Sequence, residues 1–142
     1  AAAAAAAAAG GVTPRVTHVA IEGRDMGLRL AWEAAAARVA EADGVSPAVM
    51  LDVTPESWRR ELLLPRERAN ANSAKTAARE IAKQLAHDLG GSIHLGSFTT
   101  DAAEAVLVGY HALRSLGWLQ REPAVRRYQN GKIVPIKQKG SD

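Results

Sequence analysis

The run Ala48–Val53 (AVMLDV), leading directly into Thr54-Pro55-Glu56, constrains the fold most. It is apolar except for Asp52, which predicts a strand buried on both faces. A threonine cap, a proline in the first helical position and an acid in the first turn then predict a helix start. Upstream, Val16–Glu22 (VTHVAIE) is a second β-type run. Thr17, Val19 and Ile21 fall on one face, His18, Ala20 and Glu22 on the other, and Gly23 ends it.

Helical spacing accounts for most of the rest. Leu28, Trp32, Ala35 and Val39 recur three and four residues apart between Leu28 and about Asp43, predicting an amphipathic helix closed by Gly44. A short helix, Pro55–Leu63, carries Trp58, Leu62 and the Arg59-Arg60 pair, and Pro65 stops it. Arg66–Asn72 reads as a polar loop. Ser73 is the expected cap of a helix from Ala74 to about Leu89, with Ala78, Ile81, Ala82, Leu85 and Leu89 inward and Gly90-Gly91 after it. Ser92–Thr99 reads as a loop. Thr100 is then the expected cap of a helix from Asp101 to about Leu116, with Val106, Tyr110 and Leu113 on its apolar face.

Strand–helix–strand–helix–helix–helix is an α/β pattern. Two strands are too few for a sheet covered on both sides. Together with a first residue that is alanine rather than methionine, this predicts that strands are missing on the N-terminal side. The expected organisation is a low-complexity linker over 1–15, one domain over 16–120, and a basic, loosely ordered tail over 121–142.

Composition narrows the function. The 142 residues suit one small domain, able to bury about 70% of its unfolded surface. The nine alanines at the start are too short and too weakly apolar to span a bilayer, and no membrane association is expected. Without cysteine there are no disulfides or thiolate metal sites. The four histidines, His18, His87, His94 and His111, show no ligand spacing. Aromatic residues make up 4%, too few for a base-stacking platform, and a net charge of +3 permits a polyanionic partner without requiring one.

Three sets of residues are candidates for chemistry. Glu22 closes a strand, and sites in open α/β sheets form beyond the carboxyl ends of strands; on position alone an ordinary surface acid is the commoner occupant of such a place. Asp101 and Glu104 lie three apart and share a helix face, which suits a metal or simply the helix dipole. Arg59, Arg60, Arg66, Arg68 and Lys75, followed by the tail's Arg126, Arg127, Lys132, Lys137 and Lys139, suit phosphates or a solvated face. A Gly-x-Ser-x-Gly elbow and a glycine-rich phosphate loop are absent, and Trp32, Trp58 and Trp118 read as core or edge anchors.

Taken in order, a strand ending VAIE, an alanine-rich helix, a strand leading into TPESWRREL, a basic loop with the SAKTAAREIA helix, and a helix beginning DAAEAVLVGY resemble the RuvC-type Holliday junction resolvases of the ribonuclease H-like superfamily. The plant and algal chloroplast branch, the monokaryotic chloroplast family, is the nearest in character. The resemblance covers about Val16 to Trp118. It implies an α/β ribonuclease H-like mixed sheet flanked by helices, here lacking the first strands. It implies Mg²⁺, with Mn²⁺ as an alternative, bound by Glu22, Asp101 and Glu104 as catalytic carboxylates. It further implies DNA contacts from Lys75, Arg66 and Arg68, four-way junction DNA as substrate, a homodimer formed through Leu28–Val39, and a chloroplast or other organelle nucleoid as location.

The family's first strand carries an aspartate, followed by two further strands before the glutamate strand. Here that region is polyalanine, and neither Asp25 nor Asp52 takes its place. The expectation is therefore a nuclease fragment or a degenerate copy. The alternatives are a catalytically inactive nucleic-acid-binding or assembly domain on the same fold, and a small helical α/β interaction module whose acids only cap helices.

Overall fold

A computed structural model describes residues 15–23, 25–91, 98–123, 125–129 and 132–135 of the chain. Among them, the α/β pattern is realised as β1 (His18–Glu22), α1 (Met26–Asp43), β2 (Val49–Val53), α2 (Pro55–Leu62), α3 (Ala71–Asp88), α4 (Thr100–Ser115), β3 (Arg126–Gln129) and β4 (Lys132–Pro135). The linker expected over 1–15 and the loop at 92–97 lie almost wholly or wholly outside the described residues.

β1 and β2 pair in parallel, with His18 opposite Val49 and Glu22 opposite Val53. Both strands therefore end at the same edge, and Gly23 N–H adds a bond to the Val53 carbonyl at 3.2 Å. The expectation that β2 is buried on both faces is corrected: Val49 and Asp52 are exposed and only Val53 is buried. With β1 as its one paired neighbour among the described residues, β2 is an edge strand.

Local side chains set each helix start. Asp25 accepts from Leu28 N–H at 3.0 Å, Thr54 from Ser57 N–H at 3.1 Å, Asn70 from Ser73 N–H at 2.9 Å and Thr99 from Ala102 N–H at 3.1 Å. Two caps differ from the expected Ser73 and Thr100 by a short shift upstream. Asn70 and Thr99 are the residues with extended backbone, so their side chains reach the free N–H groups of the first turn. Gly44, at φ +64°, ends α1 in the left-handed conformation.

The core lies between α3 and α4, closed by α2. Ala74, Ala78, Ile81, Ala82 and Leu85 of α3 meet Ala103, Leu107, Val108 and Tyr110 of α4, with Trp58, Leu62, Leu63, Val53 and Val125 around them. The alanines let the two helices approach closely. Each fully buried leucine contributes about 2 kcal/mol through removal from water. Leu89, expected inward, is exposed because it lies past the last helical residue, Asp88. On α4, Val106 and Leu113 are only half-buried, and Leu107 and Val108 take the inward positions.

α1 departs most from expectation. Leu28, Trp32 and Val39 are 47%, 38% and 60% exposed, and Ala40 is the buried residue of the helix. Alanine around most of the circumference leaves the apolar stripe broad and poorly directed. Two strands about 4.8 Å apart also offer too narrow a surface to cover it. α1 is tethered instead by Arg29, which pairs with Glu33 at 2.8 Å and reaches across to Asp52 on β2.

The segment expected as a loosely ordered tail contains a hairpin, β3 with β4 antiparallel, Arg126 opposite Pro135 and Gln129 opposite Lys132. Just before it, Val125 is buried in the core. A partly buried ionic cluster holds the approach to this segment: Arg114, 5% exposed, donates to Glu61 of α2 and, at 2.9 Å, to Glu122. His111 also contacts Glu61. Burial alone pulls the Arg114 guanidinium down, but the bond to Glu122 and the charges of both glutamates outweigh it and raise its pKa. Neighbouring Tyr110 is raised above the ordinary 10.0, chiefly by burial, with the Glu122 charge adding and Arg114 opposing.

Among the described residues, no helix is long and apolar enough to cross a membrane.

Candidate functional site

The carboxyl edge of β1 and β2 gathers the predicted acids unevenly. Glu22, the last residue of β1, is half-buried. Its Oε1 accepts from the indole N–H of Trp58 at 2.6 Å. Trp58 is 0% exposed, so its one polar group has to find a partner inside the protein, and Glu22 supplies it.

The next residue, Arg59, serves the other acid. Its guanidinium lies 5.1 Å from the Trp58 ring centroid and donates to Glu104 Oε1 at 3.0 Å. Glu104 is partly buried on the first turns of α4, which packs beside both β1 and α2. Two carboxylates remote in sequence are thus held by consecutive residues of α2. The indole anchors the first, and the guanidinium neutralises the second while stacking on the indole. Arg59 Nε is itself buried with no hydrogen-bond partner among the described residues.

Asp101 is exposed in the first turn of α4 and has no bonded partner among the described residues. It is not drawn into the Trp58–Arg59 arrangement. Among the described residues, no three His, Asp or Glu side chains converge closely enough to hold a metal ion. The donor chemistry of Glu22, Asp101 and Glu104 does suit a hard cation, since all three offer carboxylate oxygen. Glu22 and Glu104 each spend one oxygen on a neighbour, and their second oxygens carry no bond among the described residues. Two other acids have local duties: Asp25 caps α1 and Asp52 receives Arg29.

The expected DNA contacts are spread out. Lys75 is exposed near the start of α3 and lines a hollow with Thr100. Arg66 is exposed in the α2–α3 connection, and Arg68 is partly buried there, with its Nε lacking a hydrogen-bond partner among the described residues.

Sequence reasoning missed the roles of Trp58 and Arg59 at the site. The available signal was a tryptophan on a short helix directly after a strand edge, since a buried indole needs an acceptor. Which acceptor it finds depends on packing between distant segments.

Comparison with protein-family models, with curated proteins and with solved structures returns no match to this chain.

Proposed function

We propose that the chain carries a ribonuclease H-like, RuvC-type endonuclease module acting on four-way junction DNA, with Glu22, Asp101 and Glu104 as its metal-binding carboxylates. The observation that supports this most is the convergence of Glu22 and Glu104 on adjacent residues, Trp58 and Arg59, at the carboxyl edge of the parallel strands. That edge is where open α/β sheets carry their sites.

Held by Glu22, Asp101 and Glu104, a divalent cation would supply Lewis acidity for phosphodiester hydrolysis. The protein's part is to orient its acids. Trp58 fixes the Glu22 carboxylate from inside the core, and Glu104 is presented from a packed helix. Arg59 is the positive charge beside Glu104, placed to exchange that carboxylate for a phosphate oxygen when DNA arrives. The exposed Leu28, Trp32 and Val39 of α1 support the dimer the resemblance implies, and a two-fold dimer suits a two-fold junction.

The Arg59–Glu104 pair also favours a second reading, a junction-binding or assembly domain without catalysis, in which the guanidinium permanently fills the cation's place. One experiment separates the two. Wild-type protein and the Glu22→Gln and Glu104→Gln variants are assayed for cleavage of a labelled four-way junction in Mg²⁺ or Mn²⁺, for junction binding by gel shift, and for Mn²⁺ binding by calorimetry. The nuclease reading expects wild-type cleavage, at least 100-fold slower cutting in each variant, and junction affinity within a few-fold of wild type. Junction binding without Mn²⁺ binding or cleavage selects the second reading, and no junction binding at all refutes both.

A further inference from the structure

The outer face of α3 carries Lys75, Arg79, Lys83 and His87 at four-residue intervals, so their side chains form one stripe along the helix. The opposite face, through Ala74, Ala78, Ile81 and Leu85, is buried in the core. The stripe therefore has a fixed backing and faces solvent: Lys75, Arg79 and His87 are exposed and Lys83 is half-buried.

Two hollows run along this stripe. One, of about 360 Å³, is lined by Lys75, Arg79, Lys83 and Thr100 among others. The second, of about 660 Å³, continues from Lys83 past His87 to Arg121. Lys83 lines both, so the two hollows adjoin at its side chain as a groove in two parts. Four cations line it against two carboxylates, Glu80 and Asp88. Glu80 bonds Lys83 at 3.4 Å and Asp88 contacts the His87 ring at 3.4 Å, which leaves Lys75 and Arg121 without an acidic partner among the described residues. Arg79 is steered by a bond to the Phe98 carbonyl at 3.3 Å.

The geometry points to this groove as the track for the sugar–phosphate backbone of one DNA arm, leading to the acids at the start of α4. Thr100 at its upper end directly precedes Asp101. Four helical residues rise about 6 Å, so the α3 cations from Lys75 to Lys83 span about 12 Å, or about three to four nucleotide steps of 3.4 Å on one strand. A polyanion of regular spacing is the occupant that this row of cations complements. The assignment rests on the junction-binding reading above and extends it to residues well away from the acids.

The test uses Lys83→Gln/Arg121→Gln, which neutralises the far part of the groove and leaves Lys75 and every acid in place. Arg15→Gln, an exposed cation just ahead of β1 and away from the groove, the acids and α1, is the control. Affinity for a fluorescent immobile four-way junction is measured by anisotropy in EDTA at 50–200 mM KCl, with far-UV circular dichroism to verify folding. The double variant is expected to bind about tenfold more weakly at 100 mM KCl. Its slope of log affinity against log salt is expected to be shallower by about two, since each lost phosphate contact removes about 0.9. Arg15→Gln is expected to match wild type. If wild-type binding depends on salt and the double variant reproduces its affinity and slope, the groove assignment is overturned while the junction reading stands. If wild type shows no salt-dependent junction binding, the junction reading fails and the groove falls with it. If polyglutamate binds as tightly as DNA and is weakened equally by the two substitutions, the groove is a site for acidic peptides and the DNA assignment is overturned.

Discussion

Replacing Trp58 by phenylalanine removes one donor from the molecule while leaving an aromatic ring in the core. The indole N–H is 2.6 Å from Glu22 Oε1, and the tryptophan is fully buried while the glutamate is half-buried. A hydrogen bond to a charged group is worth about 1.5–3 kcal/mol, and partial exposure of the carboxylate argues for about 1.5–2. The smaller ring adds a packing loss of about 1 kcal/mol, and a weaker contact with Arg59 adds about 0.5 kcal/mol. Trp58→Phe is therefore expected to destabilise by about 3 kcal/mol, of which only the first part involves Glu22. A double-mutant cycle with Glu22→Met isolates that part. Urea unfolding followed by circular dichroism, extrapolated linearly, gives the four free energies. A coupling of about 1.5–2 kcal/mol is expected. A coupling below about 0.5 kcal/mol would falsify the claim that the indole holds the carboxylate, whatever the size of the single-variant losses.

Two further outcomes follow from the Arg114 cluster. Arg114→Met strips the cation from Glu61 and Glu122 and is expected to cost about 3 kcal/mol in urea unfolding; a loss under 1 kcal/mol would show the cluster to be solvated. Tyr110 has its pKa raised on folding, so the native state holds the phenolic proton more tightly than the unfolded chain does. Its contribution is complete below about pH 10 and is lost as pH climbs from there through the raised native value. Thermal unfolding at pH 9–11.5 is expected to show a smaller alkaline fall in Tyr110→Phe than in wild type, and identical slopes would refute the assignment.

The parts of the fold that could be read from sequence are those governed by neighbours along the chain. Thr54-Pro55 starts α2 as expected because the cap and the proline act within one turn. The inward positions of α3 follow from spacing, since alanine and leucine alternate with charge there. Ser73 and Thr100 lost their expected cap roles to Asn70 and Thr99 because several cap-forming residues stand side by side and only backbone conformation selects among them. The hairpin at β3 and β4 was masked by its charge, although Asn130-Gly131 is the dipeptide that favours a tight hairpin link. The outward face of α1 was not legible, because an apolar stripe specifies burial without specifying against what.

The candidate site was legible as a set of acids and illegible as an arrangement. Glu22 and Glu104 stand out by type and position in the sequence. Their custodians, Trp58 and Arg59, lie on a third segment and are defined only once that segment has docked.

That custody has a mechanical consequence. Successive residues on a helix point about 100° apart, yet here both directions are occupied by acids from different parts of the chain. A slip of α2 by a single position would release both acids at once, because Trp58 and Arg59 move with the same helix. The phase of one eight-residue rod is in effect the tuning peg for the whole edge of the sheet.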